Sequence, residues 1–514
     1  MMTQKVRAVL AIVSISCCLG AQNHVIPADK RAALDHISAA SMRGHLSFIA
    51  SDALEGRNTP STGLDIAAEY IAAQFRRAGL EPVGDDGYFQ TAGYAVAETP
   101  MESFELKLRS GGETVNVPAS QVSFSIEEAL NASAAIFKVD YKDAAALAAV
   151  KPDQIEGRVV FTEIPNYRRE PRSRWMEMYR AQEEFTGKMK TLKAALVVSV
   201  DRLSATGSGG GAGRLIDPEN RRTVPATAGT PVITVHDPRV VKAYDAMKPG
   251  PSDVELSARV PAQIERPVKL RNVIGLLRGS DPTLADTYVL LTAHYDHLGK
   301  GPANGGDNIY NGANDDGSGT VSVIEIASAL ATLKQRPKRS ILFMTFFGEE
   351  KGGFGSRFYG RNPVFPLNKT VADVNLEQVG RTDDSEGPQI SNATVTGFDY
   401  SDIGTTLKAA GELTGVTVYK HEKNSDAFFS RSDNQSLADQ GVPAHTVGVT
   451  FLFPDYHGVG DQWEKIDYSN MEKVDRMVAL GLMMIADNPQ EPKWDASNPK
   501  AARYLKAWQT HHNK

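Results

Sequence analysis

The chain is 514 residues long, 41% apolar and 23% charged, with a formal charge of −6. That length exceeds what one hydrophobic core organises, so two or more domains are expected. The composition is that of an ordinary globular protein, and the mild negative charge argues against a nucleic-acid binder, which would carry a basic stripe or patch.

Lys5 and Arg7 precede a short apolar run, Ala8 to Ser16, and small residues follow at Cys17 to Ala21. This pattern predicts a signal peptide over residues 1–20 and export to the periplasm or the exterior. The run is shorter than the about 20 residues a bilayer needs, so no transmembrane segment is expected. The residues before Cys17 and Cys18 fit a lipid-anchor motif poorly, which favours simple export. Both cysteines of the chain lie here. A mature chain therefore offers no thiolate, and any metal must be held by His and carboxylate.

Leu64, Ala67, Ala68, Ile71, Phe75 and Ala78 recur at three- and four-residue steps, predicting an amphipathic helix over 63–78 that Gly79 ends. Phe104–Leu108 and Glu113–Val117 flank Gly111-Gly112 and read as a hairpin. Residues 27–120 are taken as the first segment of a main domain. From 121 to 262 short apolar runs at 159–161, 195–198 and 231–235 alternate with loops, predicting a smaller inserted α/β domain. The glycine-rich stretch 207–213 lacks the Lys-Ser/Thr of a phosphate loop and reads as flexible. Arg168, Arg169, Arg172 and Arg174 read as a solvated face.

The main domain resumes over 263–490, with a tail at 491–514. Runs at 288–292, 340–347 and 372–376 are β-rich, and a helix is expected over 319–333 between the first two. Strands alternating with helices predict an α/β fold: a mostly parallel central sheet with helices on both faces.

His294-Tyr295-Asp296-His297 follows the first of these strands, Glu349-Glu350 the second and Glu377 the third. Ligands of such sheets bind beyond the carboxyl ends of the strands, so these groups should converge in one crevice. The run 311–319, with Asp315 and Asp316, lies on the same side, and Tyr456-His457 follows the strand-like stretch 444–451. Two histidines and several carboxylates suffice for two zinc ions sharing one bridging carboxylate, with one glutamate of the pair left as a base.

In this order the motifs resemble those of metallopeptidase family twenty-eight: His294-Tyr295-Asp296, Asn314-Asp315-Asp316-Gly317-Ser318-Gly319, Glu349-Glu350, Asn375-Leu376-Glu377 and Tyr456-His457. The match also takes in Ser51-Asp52-Ala53-Leu54-Glu55-Gly56-Arg57, and the insertion resembles the protease-associated domain of some members. The resemblance implies a zinc exopeptidase-like fold and an aminopeptidase that hydrolyses the N-terminal bonds of peptides or proteins. It implies that His294 and Glu377 bind one zinc, Glu350 and His457 a second, and that Asp315 bridges them. Glu349 would be the general base for the attacking water, Asp296 would orient His294, and Tyr456 would stabilise the oxyanion. Glu377 departs from the family, which often has Asp there.

Other readings carry less. Asp316 suits a helix cap better than a ligand. His421 and His445 compete with His457, but one falls in a charged loop and the other inside an apolar strand. His297 is read as structural or as a support to the ligands. Arg431-Ser432-Asp433 could shape a substrate pocket or merely form a loop salt bridge. A carboxypeptidase would need a cationic cluster that the sequence does not display. A glutaminyl cyclase typically has Trp where Tyr456 stands, and a receptor-like scaffold would have lost the ligands that are all present here.

Overall fold

A computed structural model describes residues 26–512 except 125, 127, 166–174, 204–212, 220–228 and 305. The expected export signal, most of the glycine-rich stretch 207–213 and the arginines at 168–172 and 174 lie outside the described residues. No helix among the described residues is long and apolar enough to cross a membrane.

Two sheets account for most of the strands. The larger has ten strands, and its centre is parallel: Tyr288–His294 lies between Ser340–Phe346 and Thr370–Leu376, and Ala444–Gly448 follows on the far side. These strands are buried on both faces, which is why they read as unbroken apolar runs. The flanks depart from the mostly parallel expectation. Ile264–Leu277 pairs antiparallel with both Ser340–Phe346 and Phe89–Glu98, and Asn392–Val395 runs antiparallel to Ala444–Gly448. The sheet is therefore mixed, with parallel pairing concentrated where helical crossovers return the chain.

The helix Thr62–Ala78 starts where Ser61 Oγ accepts the Leu64 N–H at 3.1 Å and ends at Gly79 with φ of 76°. Its stripe Leu64, Ala67, Ala68, Ile71 and Phe75 is buried in the main core, where the helices Gly319–Ala331 and Tyr468–Asp487 also bury apolar side chains.

The second sheet has eight strands drawn from residues 105–260. Val159, Phe161, Leu196 and Val198 face one core, while Val160 and Val197 face another beneath the helix Trp175–Thr191. This is the two-residue alternation of a strand with both faces covered. The hairpin Glu105–Ser110 and Glu113–Asn116 joins this sheet through Gly250–Val260, although it precedes residue 121. Conversely, Arg214–Ile216 leaves the second sheet's stretch of chain and pairs with Ala95–Ala97 at the edge of the larger sheet. The tail is anchored as far as His512: Trp494 Nε1 donates to the Gly441 carbonyl at 2.8 Å, and the helix Ala502–His512 buries Tyr504.

Candidate metal centre

Because the four central strands are parallel, their carboxyl ends open on one side, and each delivers its polar residues there. His294 ends the first strand, Glu349 and Glu350 follow a turn at Gly348 with φ of 70°, Glu377 follows the third, and a loop after the fourth carries Tyr456 and His457. Asp315 enters from the segment before the helix Gly319–Ala331.

His294 Nε2 lies 3.4 Å from Asp315 Oδ1, and His457 Nε2 lies 3.1 Å from Asp315 Oδ2 and 3.3 Å from Glu350 Oε1. Asp315 thus faces a histidine with each oxygen. Two groups of side chains bring ligand atoms within 4.8 Å of one another: His294, Asp315 and Glu377, and His297, Asp315 and Glu350. His297, read from the sequence as structural or as a support, stands in the second group. Its Nδ1 sits 2.8 Å from Glu350 Oε1, so it shares the second group that His457 also touches. Its place three residues past His294 was the one available signal, and it did not distinguish a ligand from a support.

The atoms fit a cation better than they fit one another. His294 Nε2, His297 Nδ1 and Glu350 Oε1 are buried and make no hydrogen bond, although their neighbours lie within 2.8–3.4 Å. Buried polar atoms are normally paired, and imidazole nitrogens and carboxylate oxygens converging on one point suit a metal. Electrostatics agree. Burial, reinforced by the Asp315 charge, pushes the Glu377 carboxyl up to about 7. Burial and the carboxylates of Glu377, Asp433 and Glu350 raise Glu349 well above its ordinary value, against the pull of His294. Glu350 goes the other way, to about 2, because His297 and His457 outweigh its burial and the repulsion of Asp315. His457 rises to about 10 against its burial, through Asp315 and Glu350. The acids of this crevice outnumber the imidazoles that face them, which favours a bound cation.

The surrounding contacts hold these groups in place. Asp296 accepts the Glu349 backbone N–H at 3.0 Å and the Thr59 hydroxyl at 3.0 Å. The His294 Nδ1 is nearer the Asp296 carbonyl oxygen, at 3.2 Å, than its carboxylate, at 3.6 Å. Asp316 accepts the Gly319 N–H at 3.0 Å, capping the helix, and lies 3.3 Å from the His294 and Gln378 amides. Asn375 donates to Ser432 at 2.8 Å, and the Ser432 hydroxyl bonds Glu377. Tyr456 stacks on His457 with ring centroids 4.0 Å apart. His445 is buried in its strand between Ser401 and the Thr396 carbonyl, and His421 pairs with Glu386 at 3.3 Å, so neither reaches the centre. A cavity beside Glu377 is lined by Gln378, Thr396, Phe428, Arg431 and Phe451, with the Arg431 guanidinium 4.6 Å above the Phe428 ring.

Residues 272–481 match the sequence profile of Peptidase family M28. A probable zinc metalloprotease of Pyrenophora tritici-repentis is 32% identical over 267 residues, 44% of this chain and 59% of its own length. Aminopeptidase Y of Saccharomyces cerevisiae is 28% identical over 244 residues, 45% of this chain and 36% of its own. The chain thus spans only part of these curated relatives. Among solved structures, an aminopeptidase from Aneurinibacillus sp. strain AM-1 superposes over 91% of this chain and 98% of its own, with a TM-score of 0.56 and 17% identity. A zinc aminopeptidase from Bacillus subtilis covers 90% and 97%, with a TM-score of 0.54 and 18% identity. The fold is that of these aminopeptidases.

Proposed function

We propose that the protein is an exported zinc aminopeptidase that removes N-terminal residues from peptides. The observation that carries this reading is the set of buried imidazole and carboxylate atoms that face one another without hydrogen bonds at the carboxyl ends of the parallel strands. His294 and Glu377 would hold one zinc and Glu350 and His457 a second, with Asp315 shared between them. The position of His297 beside Glu350 makes it a supporting or alternative ligand of the second ion. Two such ions, when bound, polarise a carbonyl and make water nucleophilic near neutral pH.

The chain's own residues supply the rest. Glu349 is partly buried, and its carboxyl is raised by burial and neighbouring acids, so it suits a base that takes a proton from the attacking water and returns it to the leaving amine. Asp296, through the Glu349 backbone N–H, fixes where that carboxyl stands. Tyr456, whose hydroxyl burial and nearby carboxylates keep protonated, is a donor for the developing oxyanion. The remaining acidic groups give a free substrate ammonium its counter-charge. The cavity at Phe428 and Phe451 would take the first side chain. The second sheet is read as a protease-associated-like insertion.

Zinc per chain, measured with hydrolysis of a free-amine aminoacyl anilide and its N-blocked counterpart, tests the proposal. About two zincs and cleavage of the free-amine substrate alone are expected. Cleavage of both substrates, or a protein without zinc affinity, would sink it.

A further inference from the structure

The segment 51–57 is polar, precedes the main sheet and supplies none of the proposed ligands, yet it holds a fully buried charge. Arg57 is 0% exposed. Its guanidinium donates to four backbone carbonyls: Tyr295 at 2.8 Å, Ile49 at 2.6 Å, Asn311 at 2.7 Å and Gly312 at 2.9 Å. Tyr295 adjoins His294, and Asn311 and Gly312 open the segment that carries Asp315. The Arg57 carbonyl in turn accepts the His297 N–H at 3.2 Å. The backbone is bent to bring it there: Glu55, Gly56 and Arg57 have φ of 49°, 71° and 49°. Left-handed conformation at two residues with side chains is disfavoured and persists only where surroundings hold it. A Cβ on Gly56 would stand 2.4 Å from the Tyr310 carbonyl oxygen, so the segment lies directly on the Asp315-bearing loop.

That loop is gripped from its other side by Asp461, a buried carboxylate four residues after His457. Its oxygens accept the Asn314 N–H at 2.9 and 3.0 Å and the Asp315 N–H at 3.1 Å, while its carbonyl accepts the Ala313 N–H at 3.2 Å. Carbonyls of one short stretch thus point to a guanidinium and its amides to a carboxylate. Through these two side chains the loops bearing His294, Asp315 and His457 share one frame.

We infer that Arg57 and Asp461 are positioning residues that set the spacing of the metal ligands, Arg57 from the carbonyl side of the Asp315 loop and Asp461 from its amide side. The inference rests on the zinc reading of the site above. Neither side chain touches a metal or substrate in this scheme. Each acts by fixing where Asp315 presents its two oxygens, and small losses in such supports weaken metal binding by roughly 10–100-fold. Lysine at position 57 keeps the charge but loses the planar fork that serves four carbonyls. Asparagine at 461 keeps the shape but loses one of two acceptor oxygens.

The test is zinc affinity by competition with a chelating dye, on full-length wild type, Arg57→Lys, Asp461→Asn and the double variant. Metal-free melting and circular dichroism are recorded in parallel. Each single change is expected to weaken zinc binding by about 10–100-fold in folded protein. The double variant should lose less than the product of the two, since both act on one loop. Wild-type affinity in both single variants, or losses that multiply independently, would overturn the inference. If Arg57→Lys does not fold, Asp461→Asn alone carries the test, and unchanged affinity there overturns it equally. A wild type that binds no zinc overturns the reading of the site itself, which separates the two failures.

Discussion

Both sheets contain a run of parallel strands with charged residues just past their carboxyl ends, yet the two ends are chemically opposite. In the second sheet, Arg202 follows Leu196–Val200 and pairs with Glu163 at 2.9 Å and Asp245 at 2.7 Å. Those side chains are a third to a half exposed, and these three charges meet one another in or near water. In the larger sheet the corresponding ends crowd Glu349, Glu350, Glu377 and Asp315 into one crevice, faced by imidazoles and backed by the buried Arg57 guanidinium. Parallel strands supply a crevice in both cases. What sets the proposed reaction centre apart is an excess of acids over the imidazoles that face them.

Glu349→Gln attacks that contrast most directly. Loss of the base should lower turnover by about 10²–10⁴-fold while zinc content stays near that of wild type. Activity surviving the change would place the base elsewhere.

Metal removal comes next. Saturating zinc at about 1,000 times its dissociation constant stabilises the folded chain by about 4 kcal/mol, and a chelator should abolish this. Hydrogen exchange should then accelerate in 294–297, 311–316 and 457–461 while strands 159–162 and 196–200 keep their protection. Uniform acceleration in both sheets would show that the acid excess is not confined to one of them.

A smaller effect concerns Asp373, buried inside the strand Thr370–Leu376, whose carboxyl burial pushes up to about 8. The folded chain keeps a proton there that the unfolded chain releases near 4, so folded protein binds more protons between those values. Stability should therefore fall as pH rises from about 4 to 8, by at least about 1 kcal/mol. Asp373→Asn should flatten this fall, read from urea midpoints at pH 5 and pH 8; an unchanged slope would show that Asp373 ionises freely.

The smallest is Arg202→Ala, which removes the second sheet's charge balance. Exposed pairs of this kind are screened by solvent and contribute about 0–1 kcal/mol, so melting should barely move and kcat/KM should stay at the wild-type value.

Much of the site was legible because each strand of the parallel centre is an unbroken apolar run followed at once by its polar residues. His294, Glu349, Glu350 and Glu377 stand out at such boundaries. Other features depend on contacts far apart in the chain. A hairpin signal at 105–116 fixes local pairing but not which sheet the hairpin extends, and only Gly250–Val260 decides that. Arg57 belongs to a stretch that the resemblance takes in without assigning it a role, and its burial depends on four carbonyls, three of them more than 230 residues away. His297 had no local mark separating it from a support until Glu350 was placed beside it. The packing of the tail at 491–512 is not legible locally because its anchors, Trp494 and Tyr504, are single side chains without periodicity.

The two long strands Phe89–Glu98 and Ile264–Leu277 carry the chain to and from the second sheet as hydrogen-bonded neighbours, with Glu98 opposite Ile264. Points 166 residues apart in sequence are therefore close enough in space for a short turn to join them. The second sheet is inserted across a gap that needs almost no length to close. A lineage could acquire or shed residues 99–263 in one event without moving a strand that carries a ligand, losing from the larger sheet only the edge strand Arg214–Ile216.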